Sequence, residues 1–300
     1  MIHRRAIVGL LMGAALVLAR PTALLSQAIE RSLYVTVVDR SGAPVPGLGP
    51  SDFTIREDNI AREVLRVAPA EEPMQVAILL SGLTSFGNIT QIRQALALFI
   101  DGMAPASASD AGHKLAIISQ AEHAATIADY TSDRARLQQA VQGTWTQGKN
   151  CVLDGVIEVT AALKKREAAR PVVVVITTEG PQFCATNNPE RVLAPLRESG
   201  AAFHAIVLGP LSQDISEDAR NLDTVLNEGP KATGGSRDQS LTSQALAAKL
   251  QRLADVLTHQ YHVTYGRPQS FLQPKAVTVG TTRSGLTARG TLIASPRRPS

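Results

Sequence analysis

Met74 to Gly87 reads MQVAILLSGLTSFG, and this stretch decides the fold. From Gln75 to Leu80 runs a short series of β-branched and apolar residues, closed at once by Ser-Gly-Leu-Thr-Ser-Phe-Gly. A continuous apolar run bounded by Gly and Ser is the pattern of a strand buried on both faces. Asn88-x-x-Gln91 then resembles a capping box, and Ile92, Leu96, Phe99, Ile100 and Met103 form the apolar stripe of a helix. A buried strand, a loop and a helix make the first unit of a parallel α/β sheet.

Toward the C-terminus the unit repeats. After a loop at Ala104–Gly112, Lys114 to Ser119 is a strand, and Ala124 to Asp129 is its partner across a short turn. Ser132 is expected to cap a short helix with Leu137 and Val141 inward. Thr144 to Asn150 is a loop, Cys151 to Arg166 a helix, and Val172 to Thr177 (VVVVIT) a deeply buried strand. Asn188-Pro189 starts a helix with Pro at its first position, and Gly200 stops it. Ala202 to Leu208 is a strand, followed by a polar loop, a helix near Leu222 and Thr233-Gly234-Gly235. Leu246, Leu250, Leu253 and Leu257 share one face of a last helix, Ser243 to His259.

Both ends of the chain look different. Leu33 to Asp39 alternates, and Asp52 to Glu57 and Glu63 to Val67 are two more strands around a turn at Asp58-Asn59. Ala68 to Pro73 is a linker. Such a unit is too short to hold a core alone. Tyr261 to Tyr265, Lys275 to Gly280 and Leu286 to Ile293 alternate in the same way. The expected architecture is a doubly wound, mostly parallel α/β domain at 74–260. It is inserted in a small β-sandwich made from 29–73 and 261–295, with 296–300 as a frayed tail.

Residues 1–28 carry the marks of a secretion signal. His3-Arg4-Arg5 is basic, Ala6 to Ala19 is apolar, and Ser26-Gln27-Ala28 fits a small-x-small cleavage site. The apolar run is short for a membrane span. Without Arg4, Arg5 and Arg20 the formal charge drops from +4 to +1, so the basic balance gives no reason to expect nucleic-acid binding. The mature protein is expected to lack a membrane span and to lie in the periplasm or outside the cell. Cys151 and Cys184 would then meet an oxidising compartment.

The order of elements resembles a von Willebrand factor type A domain, and more closely the bacterial exported VWFA-related proteins. Those carry a V-x-V-x-D-x-x-G-x-P-V-x-G-L pattern followed by D-F-x-V-x-E-D. Here Val35-Thr36-Val37-Val38-Asp39-Arg40-Ser41-Gly42-Ala43-Pro44-Val45-Pro46-Gly47-Leu48 precedes Asp52-Phe53-Thr54-Ile55-Arg56-Glu57-Asp58. Gln260-Tyr261-His262-Val263-Thr264-Tyr265 resembles the family's Q-Y-x-L-x-Y strand, and Gly285 to Arg289 its closing motif.

The resemblance implies a binding module with a metal-ion-dependent adhesion site at the C-terminal edge of the sheet. That site takes D-x-S-x-S from the first loop, a Thr from a second and an Asp after the central strand. Here those positions hold Ser81, Leu83 and Ser85, then Asn150, then Glu179. Mg²⁺ prefers hard oxygens with one or two carboxylates. One acid has become a hydroxyl and one ligand a hydrocarbon, so the expectation is a degenerate site with no cofactor, or Mg or Mn held weakly at most. Cys151 and Cys184 flank the same edge, and a disulfide there would fix the loops in place of the metal. In the chain-entropy model, closing such a loop stabilises by about 3–4 kcal/mol.

The leading reading is a non-enzymatic module that engages a protein partner through Thr84, Phe86, Trp145 and Phe183 in the rim loops. The alternative is a metal-dependent domain with altered ligands. Enzymatic readings fare worse: Ser81 lacks the G-x-S-x-G context, His259-x-x-His262 straddles a helix end, and Thr233-Gly234-Gly235 lacks a P-loop lysine.

Overall fold

A computed structural model describes residues 28–83, 89–103, 112–144, 149–180, 183, 188–210, 213–214, 216–269, 274 and 276–292. The chain opens with β1 (Ala28–Val38), a 3-10 turn (Pro50–Asp52), β2 (Phe53–Glu57), β3 (Ile60–Arg62) and β4 (Val64–Pro69). The central part is β5 (Met74–Ser81), α1 (Ile89–Met103), β6 (Lys114–Gln120), β7 (Ala124–Thr131), α2 (Arg134–Gln142), α3 (Val152–Lys165) and β8 (Arg170–Thr178). It continues with α4 (Glu190–Ser199), β9 (Ala202–Leu208), α5 (Glu217–Thr233), β10 (Arg237–Ser240) and α6 (Ser243–Thr258). The chain closes with β11 (Tyr261–Pro268), β12 (Val277–Thr281) and β13 (Thr287–Leu292).

Six strands form one sheet in the order β10-β9-β8-β5-β6-β7. All its pairs are parallel except β6–β7, so an antiparallel strand closes one edge. β5 lies in the middle, with Ile78 opposite Val174 on one side and Ile117 on the other. Alternate residues explain its unbroken apolar run. Val76, Ile78 and Leu80 pack with α1 and α6 through Leu96, Phe99, Leu246 and Leu250. Ala77 and Leu79 pack on the other face with Val156 of α3 and Leu222 of α5. A strand covered by helices on both faces is solvated on neither.

The two ends of the chain build the other two sheets, β13-β1-β11-β4 and β12-β2-β3. Their shared core is Leu33, Val35, Val37, Phe53, Ile55, Tyr261, Val263 and Tyr265. The α/β body is thus inserted in a small β-sandwich.

Among the contacts that hold the sandwich on that body, two stand out. Arg170, 3% exposed at the start of β8, donates to the carbonyls of Ala70, Glu72 and Leu257 and to Gln260 Oε1 at 2.8–3.2 Å. Its guanidinium also lies 4.9 Å from the centre of the Tyr34 ring. At the second contact, Thr291 Oγ1 donates to the Thr233 carbonyl at 2.7 Å. Gly234, at φ +77°, lets the backbones meet there; a Cβ would lie 2.3 Å from the Gly290 oxygen.

Several local expectations need correction. Asp133, not Ser132, caps α2, accepting from the Arg136 amide at 3.0 Å. A carboxylate one residue nearer the helix is the better acceptor for its positive end. The strand expected at Glu63–Val67 is β4, which pairs with β11, and a short strand not expected from the sequence, β3, precedes it and pairs with β2 in the other sheet. Ala68 and Pro69 belong to β4 rather than to a linker. β10, Arg-Asp-Gln-Ser, was not foreseen, because an edge strand needs no apolar run to pair. The Asn88 cap, residues 1–27 and residues 293–300 lie outside the described residues.

Two histidines make the fold acid-sensitive. His204 is buried on β9, its Nδ1 2.9 Å from Ser236 Oγ; burial, aided by the charge of Arg289, pushes its pKa down to about 3. Nδ1 of His113 accepts from the Met74 amide at 3.1 Å, and burial with the charge of Arg170 takes it down to about 4. Both are neutral in the fold, whereas the unfolded chain binds their protons near pH 6.5. Their stabilisation is therefore complete above about pH 6.5 and is lost as the pH falls toward 4 and below. Urea unfolding across pH 6 to 4 should show His204→Gln with a pH slope shallower by up to about 1.4 kcal/mol per unit. An unchanged slope contradicts this.

Candidate functional site

The C-terminal ends of β5, β8 and β9 and the start of α3 meet at one edge of the sheet. This edge is where ligands bind in open α/β folds. Ser81 ends β5 with its side chain buried. Its hydroxyl donates to Asn150 Oδ1 at 3.3 Å and accepts from the Cys151 amide at 3.1 Å. The first amides of a helix have no partner inside it, and here Ser81 serves one of them. Asn150 Oδ1 also accepts from the Val152 amide at 3.4 Å, while Nδ2 donates to the Thr178 carbonyl at 3.2 Å. Thr178 Oγ1 in turn donates to the Gly82 carbonyl at 2.6 Å. Ser81, Asn150 and Thr178 thereby tie β5, α3 and β8 together through short polar side chains.

Gly82 makes this closeness possible. It sits at φ +66°, and a Cβ there would lie 2.6 Å from Asn150 Cγ. Leu83, on a ligand position of the resembled motif, is 2% exposed and packs into the apolar core with Ile92. Glu179 follows Thr178, and its carboxylate pairs with the guanidinium of Arg237 at the start of β10. Arg237 also reaches Asn227 Oδ1 at 2.5 Å and Asp223 at 3.4 Å on α5.

Ser81 and Asn150 are thus brought into contact, and Glu179 lies one residue beyond the carbonyl that Asn150 holds, turned toward Arg237. Cys151 is fully buried as the N-cap of α3. Phe183 donates its amide to the Asn150 carbonyl at 3.0 Å and leaves its ring 57% exposed. Thr84, Ser85, Phe86, Trp145 and Cys184 lie outside the described residues. Sequence reasoning missed Arg237, which no spacing rule connects to Glu179 across an intervening strand. It also missed Thr178, and Leu241, 67% exposed after β10.

A divalent cation fits this arrangement poorly. Ser81 and Asn150 carry no charge and are engaged with each other and with backbone, Leu83 has no donor atom, and an arginine already neutralises Glu179. Among the described residues no group of three His, Cys, Asp or Glu side chains is placed to hold a metal. Hard divalent ions want carboxylates to offset their charge.

No protein-family model and no curated protein matches the chain. Solved structures do. Proximal thread matrix protein 1 from the mussel byssus superposes with a TM-score of 0.50 at 14% identity, over 68% of this chain and 50% of that one. A von Willebrand factor type A structure from Catenulispora acidiphila gives 0.48 at 14% identity, over 89% and 73%. The α/β domain has the von Willebrand factor type A (vWA) fold. The vWF domain of the type V pili tip protein Mfa5 from Porphyromonas gingivalis gives 0.48 at 12% identity, over 63% of this chain and 96% of that one. The chain spans about half the length of the mussel protein. That mussel protein is also described with a zinc-occupied MIDAS motif, the metal-ion-dependent adhesion site. At these identities the likeness is one of fold. Among the described residues no helix is long and apolar enough to cross a membrane.

The Ser81 contacts set two costs. Ser81→Ala removes the acceptor of the Cys151 amide and the donor to Asn150, and should destabilise by about 1–3 kcal/mol. Gly82→Ala adds backbone strain to a clash and should cost about 2 kcal/mol or more. Urea unfolding of both variants measures this, and wild-type stability in Gly82→Ala contradicts the close packing at Asn150.

Proposed function

We propose that this chain is an exported, non-enzymatic protein-binding module whose rim engages its partner without a divalent cation. The observation that carries the reading is the engagement of the ligand positions with the protein itself. Ser81 holds Asn150 and the Cys151 amide, and Arg237 holds Glu179. A guanidinium is a permanent cation with directional donors, so it supplies next to Glu179 the charge an ion would bring.

The partner would meet the loops at Ser81–Asn88, Thr144–Cys151 and Glu179–Asn188. Their aromatic residues are Phe86, Trp145 and Phe183, and Thr84 belongs to the first loop by sequence. Exposed aromatic side chains are efficient anchors at interfaces. Export follows from the basic and apolar leader, and pairing of Cys151 with Cys184 belongs to the same reading. The non-enzymatic reading is supported at Ser81, whose hydroxyl is engaged by the Asn150 side chain and the Cys151 amide rather than, among the described residues, by a base.

Calorimetric titration of the mature protein with Mg²⁺ and Mn²⁺ should give no binding tighter than millimolar. Mass measurement after alkylation should detect free thiols only with reductant. Micromolar metal binding abolished by Glu179→Ala favours the alternative, a metal-dependent domain using Ser81, Ser85, Asn150 and Glu179, and overturns the proposal.

A further inference from the structure

The poor fit of a divalent cation at the rim has a cause beyond the lost carboxylate at Ser81. The Arg237 guanidinium already sits among three oxygens of the kind such an ion takes. Its Nη2 pairs with Glu179 Oε1. Its Nη1 donates to Asn227 Oδ1 at 2.5 Å and lies 3.4 Å from Asp223 Oδ1. Asn227 Nδ2 donates to Asp223 Oδ1 at 2.9 Å, which turns the amide oxygen of Asn227 toward the arginine. Two carboxylates and an amide oxygen, from the residue after β8 and from α5, thus meet one cationic group.

The backbone holds the arginine in this place. Arg237 opens β10 opposite Ala205 of β9, whose amide donates to the Ser236 carbonyl at 2.8 Å. Gly235 passes so close to β9 that a Cβ there would lie 1.8 Å from the Phe203 oxygen. The side chains of Glu179, Arg237 and Asp223 are 9%, 20% and 54% exposed, so the cradle is closed toward the sheet and open to water along α5. A carboxylate as buried as that of Glu179 needs positive charge beside it, and the guanidinium supplies a full unit.

We propose that Arg237 is the residue that makes the rim independent of a divalent cation. Its guanidinium is a tethered cation seated among Glu179, Asp223 and Asn227, and without it those oxygens take a small hard cation. Such ions favour oxygen donors that include one or two carboxylates, and this set has two. Arginine keeps its proton under ordinary conditions, so the place stays filled. The inference rests on the metal-free reading of the rim. A guanidinium that served packing alone could not be replaced by an ion of another shape, and this separates the two roles.

The test titrates the full mature chain and Arg237→Ala with Mn²⁺ by calorimetry and by thermal unfolding at constant ionic strength. Arg237→Ala should bind Mn²⁺ about tenfold or more tighter than the wild-type chain, and Mn²⁺ should raise its Tm by about 2 °C or more. Millimolar guanidinium, the free form of the missing group, should raise the Tm of Arg237→Ala and leave the wild-type chain unchanged. Arg237→Lys keeps a positive charge and should bind Mn²⁺ no better than wild type. Glu179→Gln added to Arg237→Ala should abolish the gain. Should Arg237→Ala not fold, Arg237→Gln, nearer in size, gives the same readings. A folded variant that gains no Mn²⁺ binding, with the wild-type chain equally silent, overturns this inference and leaves the metal-free reading standing. So does a gain that survives Glu179→Gln. Micromolar binding by the wild-type chain overturns the metal-free reading, and this inference with it.

Discussion

A single hydroxyl joins the middle of the sheet to the helix that follows its second loop. Ser81 Oγ accepts the Cys151 amide at the start of α3 and donates to Asn150. The open amides of a helix end need an acceptor, and a carboxylate there would also gain from the helix dipole. A hydroxyl meets the same demand without charge, and so without calling for a cation to balance it. From this contact follow the placement of Asn150 against the Thr178 carbonyl, the hold on Gly82, and the anchoring of the Phe183 amide on the Asn150 carbonyl.

The charges of the rim are arranged to suit. Glu179 is turned along the sheet to Arg237, which also meets Asp223 and Asn227 of α5. Leu83 turns inward and adds its side chain to the packing of α1. Among the described residues the rim is therefore held by short polar side chains, the ion pairs of Arg237 and apolar packing. Its orientation relative to the sandwich is set from below, where Arg170 ties Ala70, Glu72, Leu257 and Gln260 to the start of β8.

Most of the fold was legible in the sequence because buried parallel strands leave a strong trace. VAILL in β5 and VVVVI in β8 carry no polar residue, since helices cover both of their faces. The alternation of Leu33, Val35 and Val37 likewise marks one face of a half-exposed strand. Ser81 and Asn150 meet because Ser81 is the last residue of β5 and Asn150 stands just before α3, two boundaries that are plain in the sequence. What escaped was polar and non-local. β10 is Arg-Asp-Gln-Ser, held at a sheet edge by backbone pairing with β9, and no apolar pattern announces it. Arg237 finds Glu179 from 58 residues away, and Arg31 meets Tyr265 from the opposite end of the chain. Contacts of this kind depend on tertiary placement, which local periodicity does not encode.

The central claim is that protein hydrogen bonds, not a bound ion, hold the rim. Amide hydrogen exchange at Cys151 and Val152, followed with and without a strong chelator, addresses it most directly. Both amides lie in the Ser81–Asn150 contact. The account predicts slow exchange that is the same in chelator and in millimolar Mg²⁺. Faster exchange at these two amides on chelation, restored by adding the metal back, would contradict it.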